Sequence, residues 1–166
     1  MIFSVSVSAL TADEINKAIS DYNSAIANEN NRHISKLSEI TSHYAYLLDL
    51  KNNLDNEYAD FSEDAYKTQK AAIEKLLADY QSDLFEAENL SNTELIAKYT
   101  ALVEQTNKEL TDLETKWFMY SSQLSIYTED SVKQKSETDN ENALHIENLE
   151  KINNDYSFIL GYIPNV

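Results

Sequence analysis

Apolar side chains recur at alternating steps of three and four residues along most of this chain. One such series includes Leu37, Ile40, Tyr44 and Leu47, and the longest spans residues 96–127. This spacing places an apolar stripe along one side of a helix and is typical of a coiled-coil seam. Strand-rich folds need many turn residues, yet the 166 residues include one glycine and one proline. The sequence therefore predicts an all-α protein.

The phase breaks of this pattern predict three or four long helices in an elongated antiparallel bundle with coiled-coil packing. We expect one helical domain over residues 11–166, with helices at about 12–60, 63–89 and 92–127, and a last helix from 129 or 137 to 160. The first helix is expected to continue through Asn28–Asn31 with a four-residue insertion in the repeat, the alternative being a break at these asparagines. The stretch 129–142, which is nearly free of apolar residues, is either a solvated helix or a linker. No internal repeat is apparent, which disfavours a solenoid.

Capping chemistry predicts where the helices start and stop. Two pairs have the spacing of a capping box, in which each side chain satisfies an orphan backbone donor: Thr11 with Glu14, and Ser91 with Glu94. Further starts at Ser62 and Thr128 depend only on a pair of apolar residues that brackets the start. Gly161 lies where a left-handed C-terminal cap is expected.

Residues 1–10 have a different period. Phe3, Val5 and Val7 alternate with serines, which is typical of a half-buried strand. A lone strand in a helical chain has nothing of its own to pair with, and unpaired buried backbone groups cost free energy. We therefore expect an extended N-terminal arm that either packs as a lead-in to the first helix or adds as a strand to a sheet on another chain.

The composition excludes several kinds of catalytic site. Phosphate-binding loops, dinucleotide fingerprints and nucleophile elbows each need several glycines, and thiolate zinc sites need cysteine, which is absent. A di-iron bundle needs Glu-x-x-His on two helices, but none of the residues three positions before His33, His43 and His145 is acidic. We therefore expect isolated histidines, no catalytic or metal-binding residues and no cofactor.

The formal charge is −16, from 29 acidic and 13 basic residues. This balance opposes direct binding to nucleic-acid phosphates. Lysines interrupt the acidic residues, as is typical of solvated helix faces, and an acidic stripe that captures a basic protein is the alternative. No run approaches the ~18 apolar residues of a membrane span, and the N-terminus lacks the basic region of a signal peptide. We expect a soluble protein.

Trp117 and Tyr120 fit the predicted seam of their helix, whereas other large apolar side chains, such as Phe118 and Met119, do not. Residues 117–120 are consecutive and apolar or aromatic, so on a helix they cover nearly every direction around the axis. Their second side is buried either by another helix of the same chain or by another chain. The interface candidates, including those of the arm, are Phe3, Val5, Val7, Phe85, Trp117, Phe118, Met119 and Ile126.

These patterns favour a non-enzymatic structural or assembly subunit that acts through helix and arm contacts. Its expected partners are copies of itself or a larger symmetric assembly, such as a virus or phage particle. The alternative is an acidic binding module, either an antagonist of a basic or nucleic-acid-binding protein or an assembly chaperone. Oligomers that depend on concentration favour the first function, and a stable monomer favours the second.

Overall fold

The computed structural model describes residues 10–162, with side chains as far as residue 159. This part of the chain is all-helical and contains no strand, which confirms the predicted fold class. Its elements are α1 (Ala12–His43), α2 (Tyr46–Glu57), α3 (Glu63–Asn89), α4 (Thr93–Asp155) and a terminal 3₁₀ helix (Ser157–Tyr162). The predicted arm, with Phe3, Val5 and Val7, lies outside the described residues.

Two helix starts agree with the predicted capping chemistry. The Thr11 hydroxyl accepts a hydrogen bond from the Glu14 amide at 3.2 Å, and the Glu14 carboxylate accepts one from the Thr11 amide at 2.8 Å. This reciprocal pair is the predicted capping box of α1. The Ser62 hydroxyl accepts from the Ala65 amide at 3.1 Å, so Ser62 caps α3.

The predicted capping box at Ser91 and Glu94 is wrong by one residue. The Asn92 side-chain oxygen accepts from the Leu95 amide at 3.1 Å, so Asn92 caps α4. Ser91 has a φ of 51°, which places it in the left-handed region, in the turn that precedes this cap. Asparagine suits a helix N-cap as well as serine does, because its short side chain also reaches the orphan backbone donors.

The predicted break between helices at 127–129 is also wrong, because α4 is continuous from Thr93 to Asp155. The Thr128 hydroxyl donates to the Leu124 carbonyl at 2.7 Å, so it bonds back along the helix and does not cap a new one. Of the two alternatives for residues 129–142, the structure shows the solvated helix. No glycine or proline in this stretch interrupts the helix.

The first predicted helix, 12–60, is continuous through Asn28–Asn31 but is divided by a turn at Tyr44–Ala45. The Tyr44 ring is buried, and its hydroxyl donates to Glu137 at 2.8 Å. This hydrogen bond holds the Tyr44 ring in place directly after the end of α1 at His43. No glycine or proline marks the turn. Gly161 lies within the terminal 3₁₀ helix without a positive φ, so the predicted left-handed cap is wrong.

The chain forms two compact units. Unit 1 takes in the chain up to Ala45 together with the chain from Ser131 onward, and unit 2 is Tyr46–Asp130. In unit 1 the terminal 3₁₀ helix packs against α1, and Ile159 is fully buried. Within residues 10–162, no helix combines the length and apolar character needed to cross a membrane.

The core of unit 2 is aromatic. Tyr58, Phe61 and Leu113 are buried together, and Trp117 packs against them. The Trp117 ring stacks on Tyr66 with 4.7 Å between ring centroids. Leu54, Ile73 and Tyr120 complete the cluster.

Candidate functional site

Unit 1 buries two carboxylates between α1 and α4. Glu29 on α1 is 8% exposed, and Glu141 on α4 is 7% exposed. Arg32 joins them, because its guanidinium donates to Glu29 at 2.8 and 2.9 Å and to Glu141 at 2.8 and 3.2 Å. Carboxylates are rarely buried without such a partner, since an unpaired buried charge is strongly unfavourable.

Two histidines complete this group. Nδ1 of His33 lies 3.0 Å from Glu141, and Nδ1 of His145 lies 3.0 Å from Glu29. The two imidazole rings stack, with centroids 4.0 Å apart and planes 4° from parallel. The expectation of isolated histidines is therefore wrong for these two. We call Glu29, Arg32, His33, Glu141 and His145 the ion cluster.

The protonation states of the cluster follow from its hydrogen bonds. Arg32, with smaller contributions from His145 and Asn148, lowers the pKa of Glu29 from 4.5 to about 2. Arg32 and then His33 also lower the pKa of Glu141. Both carboxylates are thus ionised at neutral pH and can only accept hydrogen bonds, so Nδ1 of each histidine carries the proton.

The cluster is suited to specifying how helices pair. Within residues 10–162, no group of three or more histidine, aspartate or glutamate side chains is arranged to hold a metal ion. Each carboxylate instead faces one histidine and shares Arg32. Buried polar groups of this kind fix the register and orientation of helix pairs, because any shift leaves a charge buried without its partner.

An open cleft of about 600 Å³ lies beside the cluster in unit 1. Glu141, Lys36, Ile40 and Leu144 are among its lining residues. The Lys36 ammonium donates to Glu39, also in the lining, at 2.8 Å, so this charge is already paired. The wall of the cleft is thus part polar and part apolar.

The cluster is built from an internal repeat, so the expectation that the chain contains none is wrong. Residues 28–48 align without gaps with residues 140–160, which lie 112 positions later, and nine of these 21 positions are identical. The identical pairs are Asn28/Asn140, Glu29/Glu141, Asn30/Asn142, His33/His145, Ile34/Ile146, Leu37/Leu149, Ile40/Ile152, Tyr44/Tyr156 and Leu48/Leu160. We call residues 28–48 the first repeat and residues 140–160 the second repeat.

The two repeats have similar helix ends, exposure and contacts. His43, the last residue of α1, is equivalent to Asp155, the last residue of α4. Exposure also agrees, since Ile34 is 64% exposed and its equivalent Ile146 is 58% exposed. The reciprocal contacts Glu29–His145 and His33–Glu141 join equivalent atoms at the same distance of 3.0 Å. The repeats therefore pair with approximate two-fold symmetry.

The Glu-x-x-His pattern, which would indicate a di-iron site, does not match the ion cluster. It required glutamate three positions before histidine, whereas both repeats have glutamate four positions before it. Positions four apart lie on the same side of a helix. Both repeats contain a Glu-x-x-x-His segment, and a comparison of these two segments identifies both the repeat and the residues of the cluster.

The structure places the described interface candidates in two environments. Phe85, Phe118, Met119 and Ile126 are exposed. Trp117 instead packs in the aromatic core of unit 2, as its position on the predicted seam suggests. The exposed set contains three residues of α4, and we call Phe118, Met119 and Ile126 the α4 apolar face.

No family model, curated protein or solved structure matches this chain.

Proposed function

We propose that this chain is a non-enzymatic structural or assembly subunit that associates with other protein chains through the α4 apolar face. The observation that supports this proposal is the position of that face. At about 100° per residue, the mean direction of Phe118, Met119 and Ile126 lies on roughly the opposite side of α4 from its core residues, Leu113 and Trp117 among them. Phe118 is 68% exposed. In unit 2, α4 thus has one apolar side in the core and a second in water.

Between residues 109 and 128, the side of α4 that carries the face has no charged residue, in a chain of formal charge −16. The same side of the helix carries Thr111, Thr115 and Ser122. The Thr111 and Thr115 hydroxyls donate to the backbone carbonyls four residues earlier, at 2.9 Å each. Their methyl groups remain available for apolar contact, because the hydroxyl groups are already satisfied.

Two charged residues at the edges of the face, Asp112 and Glu114, take part in ion pairs. The Asp112 carboxylate accepts from Lys108 at 2.6 Å, and the Glu114 carboxylate accepts from Lys70 at 2.5 Å. A partner that covers the face therefore meets few uncompensated charges. Aromatic and methionine side chains of this kind are enriched at protein interfaces, where a few such anchors supply most of the binding energy.

The finer features of the proposed subunit are part of the same hypothesis. Its helices would pack against neighbours in coiled-coil fashion, and the arm of residues 1–10 would add as a strand to another chain. The partners would be copies of this chain or a larger symmetric assembly such as a virus or phage particle. Such an assembly uses long helices and extended arms to join its copies.

The molar mass of the protein in solution, measured by light scattering across a concentration series, tests this proposal. The chain should form oligomers that grow with concentration, and the double variant Phe118→Asp with Ile126→Asp should show no growth beyond a dimer. Leu76→Asp is the matched control, because Leu76 is exposed in unit 2 but lies on α3, outside the face. A wild-type chain that stays monomeric at every concentration would overturn the proposal and favour an acidic binding module.

A further inference from the structure

We propose that the ion cluster is also a docking surface for a second copy of this chain. In this arrangement the first repeat of one copy pairs with the second repeat of another, and the contacts within unit 1 re-form between chains. The inference rests on the proposed function, since it names a second copy of the chain as one partner. It concerns a different surface, in unit 1 and not on the α4 apolar face.

The first step of the argument is that the seam is complementary to itself. Each repeat carries a glutamate and, four residues later, a histidine, and the antiparallel repeats pair glutamate with histidine in both directions. Any two antiparallel copies of this segment can make both contacts. Exchange of an identical element between chains reuses the contacts of the monomer and is therefore a low-cost route to a dimer.

The second step concerns the strength of the seam. Few apolar side chains are fully covered in the described part of unit 1, namely Ile40, Tyr44 and Ile159. The contacts across the seam include several hydrogen bonds and ion pairs, with Tyr44 to Glu137 at 2.8 Å among them. Water replaces such contacts more readily than it hydrates an aromatic core, because polar groups that open regain hydrogen bonds to solvent.

The third step explains why a second copy is the favoured partner. A partner that buries Glu29 and Glu141 must supply a guanidinium and correctly placed imidazoles, or it leaves a charge buried without compensation. Arg32 belongs to the first repeat and serves both carboxylates. A second copy presents Glu29, Arg32 and His33 in the required order, so it matches the second repeat residue for residue.

A complementation experiment on the full chain tests this inference. One variant carries Glu29→Ala with His33→Ala, and the other carries Glu141→Ala with His145→Ala. Both are made in a chain that also carries Phe118→Asp and Ile126→Asp, so that the α4 apolar face does not contribute. Alone, each variant loses both glutamate–histidine contacts. A mixed pair regains both, because the intact first repeat of one chain can meet the intact second repeat of the other.

The two variants are mixed at pH 2, where the lowered pKa of Glu29 is reached and protonation weakens the seam, and are then returned to neutral pH. We expect a species of twice the 19.0 kDa chain mass in the mixture and not in either variant alone. The control pair carries Asn30→Ala and Asn142→Ala, which change exposed identical positions of the repeats. These control chains should behave like the chain that carries only the Phe118 and Ile126 changes.

Two results would overturn the inference. The first is a mixture that stays monomeric although hydrogen exchange shows unit 2 intact in both variants. The second is full protection of α1 in each variant alone, since the cluster would then be dispensable for pairing. Either result leaves the proposed function standing if the wild-type chain still associates through Phe118 and Ile126. The two proposals therefore fail separately.

Discussion

Units 1 and 2 hold their helices together by different chemistry. In unit 1, α1 and α4 meet through two buried carboxylates, an arginine and a stacked histidine pair. In unit 2, the helices meet through aromatic rings, with Phe61 and Tyr120 edge to face at 5.4 Å. The Lys116 ammonium adds a cation–π contact 4.7 Å from the Phe61 ring centroid.

This difference in chemistry gives the two units different roles, one in stability and one in the choice of helix partner. An aromatic core gains free energy from burial with almost any apolar partner of suitable shape, because the hydrophobic effect has no direction. A buried ion cluster gains little over an apolar equivalent, but it penalises every wrong register or partner. Unit 2 is therefore expected to supply most of the stability, and unit 1 to determine which helices pair.

The largest effect should follow from removing a core ring of unit 2. Phe61→Ala deletes a buried aromatic side chain and should lower the free energy of unfolding by about 3–5 kcal/mol. Phe85→Ala is the matched control, because the same residue type is exposed there and should change stability by less than about 0.5 kcal/mol. Urea denaturation followed by tryptophan fluorescence reports on unit 2, since Trp117 lies in its core. Equal effects of the two substitutions would contradict the assignment of the core.

The sequence predicts some helix ends correctly and misses others. The bounds of α3, 63–89, agree with the prediction, and Ser62 caps this helix between Phe61 and Tyr66, the apolar pair that predicts the start. The turn at Tyr44–Ala45 carries no glycine or proline, so no local signal marks it. The false break near Thr128 has the opposite cause, since an apolar pair that brackets a helix start also occurs inside helices.

The ion cluster was beyond a residue-by-residue search. His33 and His145 lie on different helices, and only the antiparallel pairing of α1 with α4 brings their rings together. A comparison of the chain with itself, in contrast, identifies the partners in advance. In this protein the internal repeat carries more information about the site than any single motif does.

An intermediate effect should follow from acid. Arg32 holds the pKa of Glu29 at about 2 in the folded chain, against 4.5 for an unperturbed glutamate, and the pKa of Glu141 is lowered too. A lowered pKa contributes stability above pH 4.5, and this contribution is lost as the pH falls toward 2. Both buried acidic residues of the described chain belong to unit 1, so unit 1 should loosen first.

Amide hydrogen exchange at pH 6, 4 and 3 measures this difference between the units. Protection should fall in α1 before it falls in α3. The Glu29→Gln variant should show a smaller loss of unit 1 protection between pH 4.5 and 3, because one titrating group has been removed. Simultaneous loss of protection in both units would show that acid acts on the whole chain and not on the cluster.

The smallest effects should come from substitutions in the turn before α4. They test whether the two units unfold separately. Ser91→Gly relieves the cost of a left-handed residue and should raise the free energy of unfolding by about 0.5–1 kcal/mol. Asn92→Ala removes a helix cap and should lower the free energy of unfolding by about 1 kcal/mol. Because both residues lie in unit 2, the changes should alter hydrogen exchange there and leave α1 unchanged. If α1 shifted by the same amount, the two units would unfold as one, and the division of stability and selectivity between them would fail.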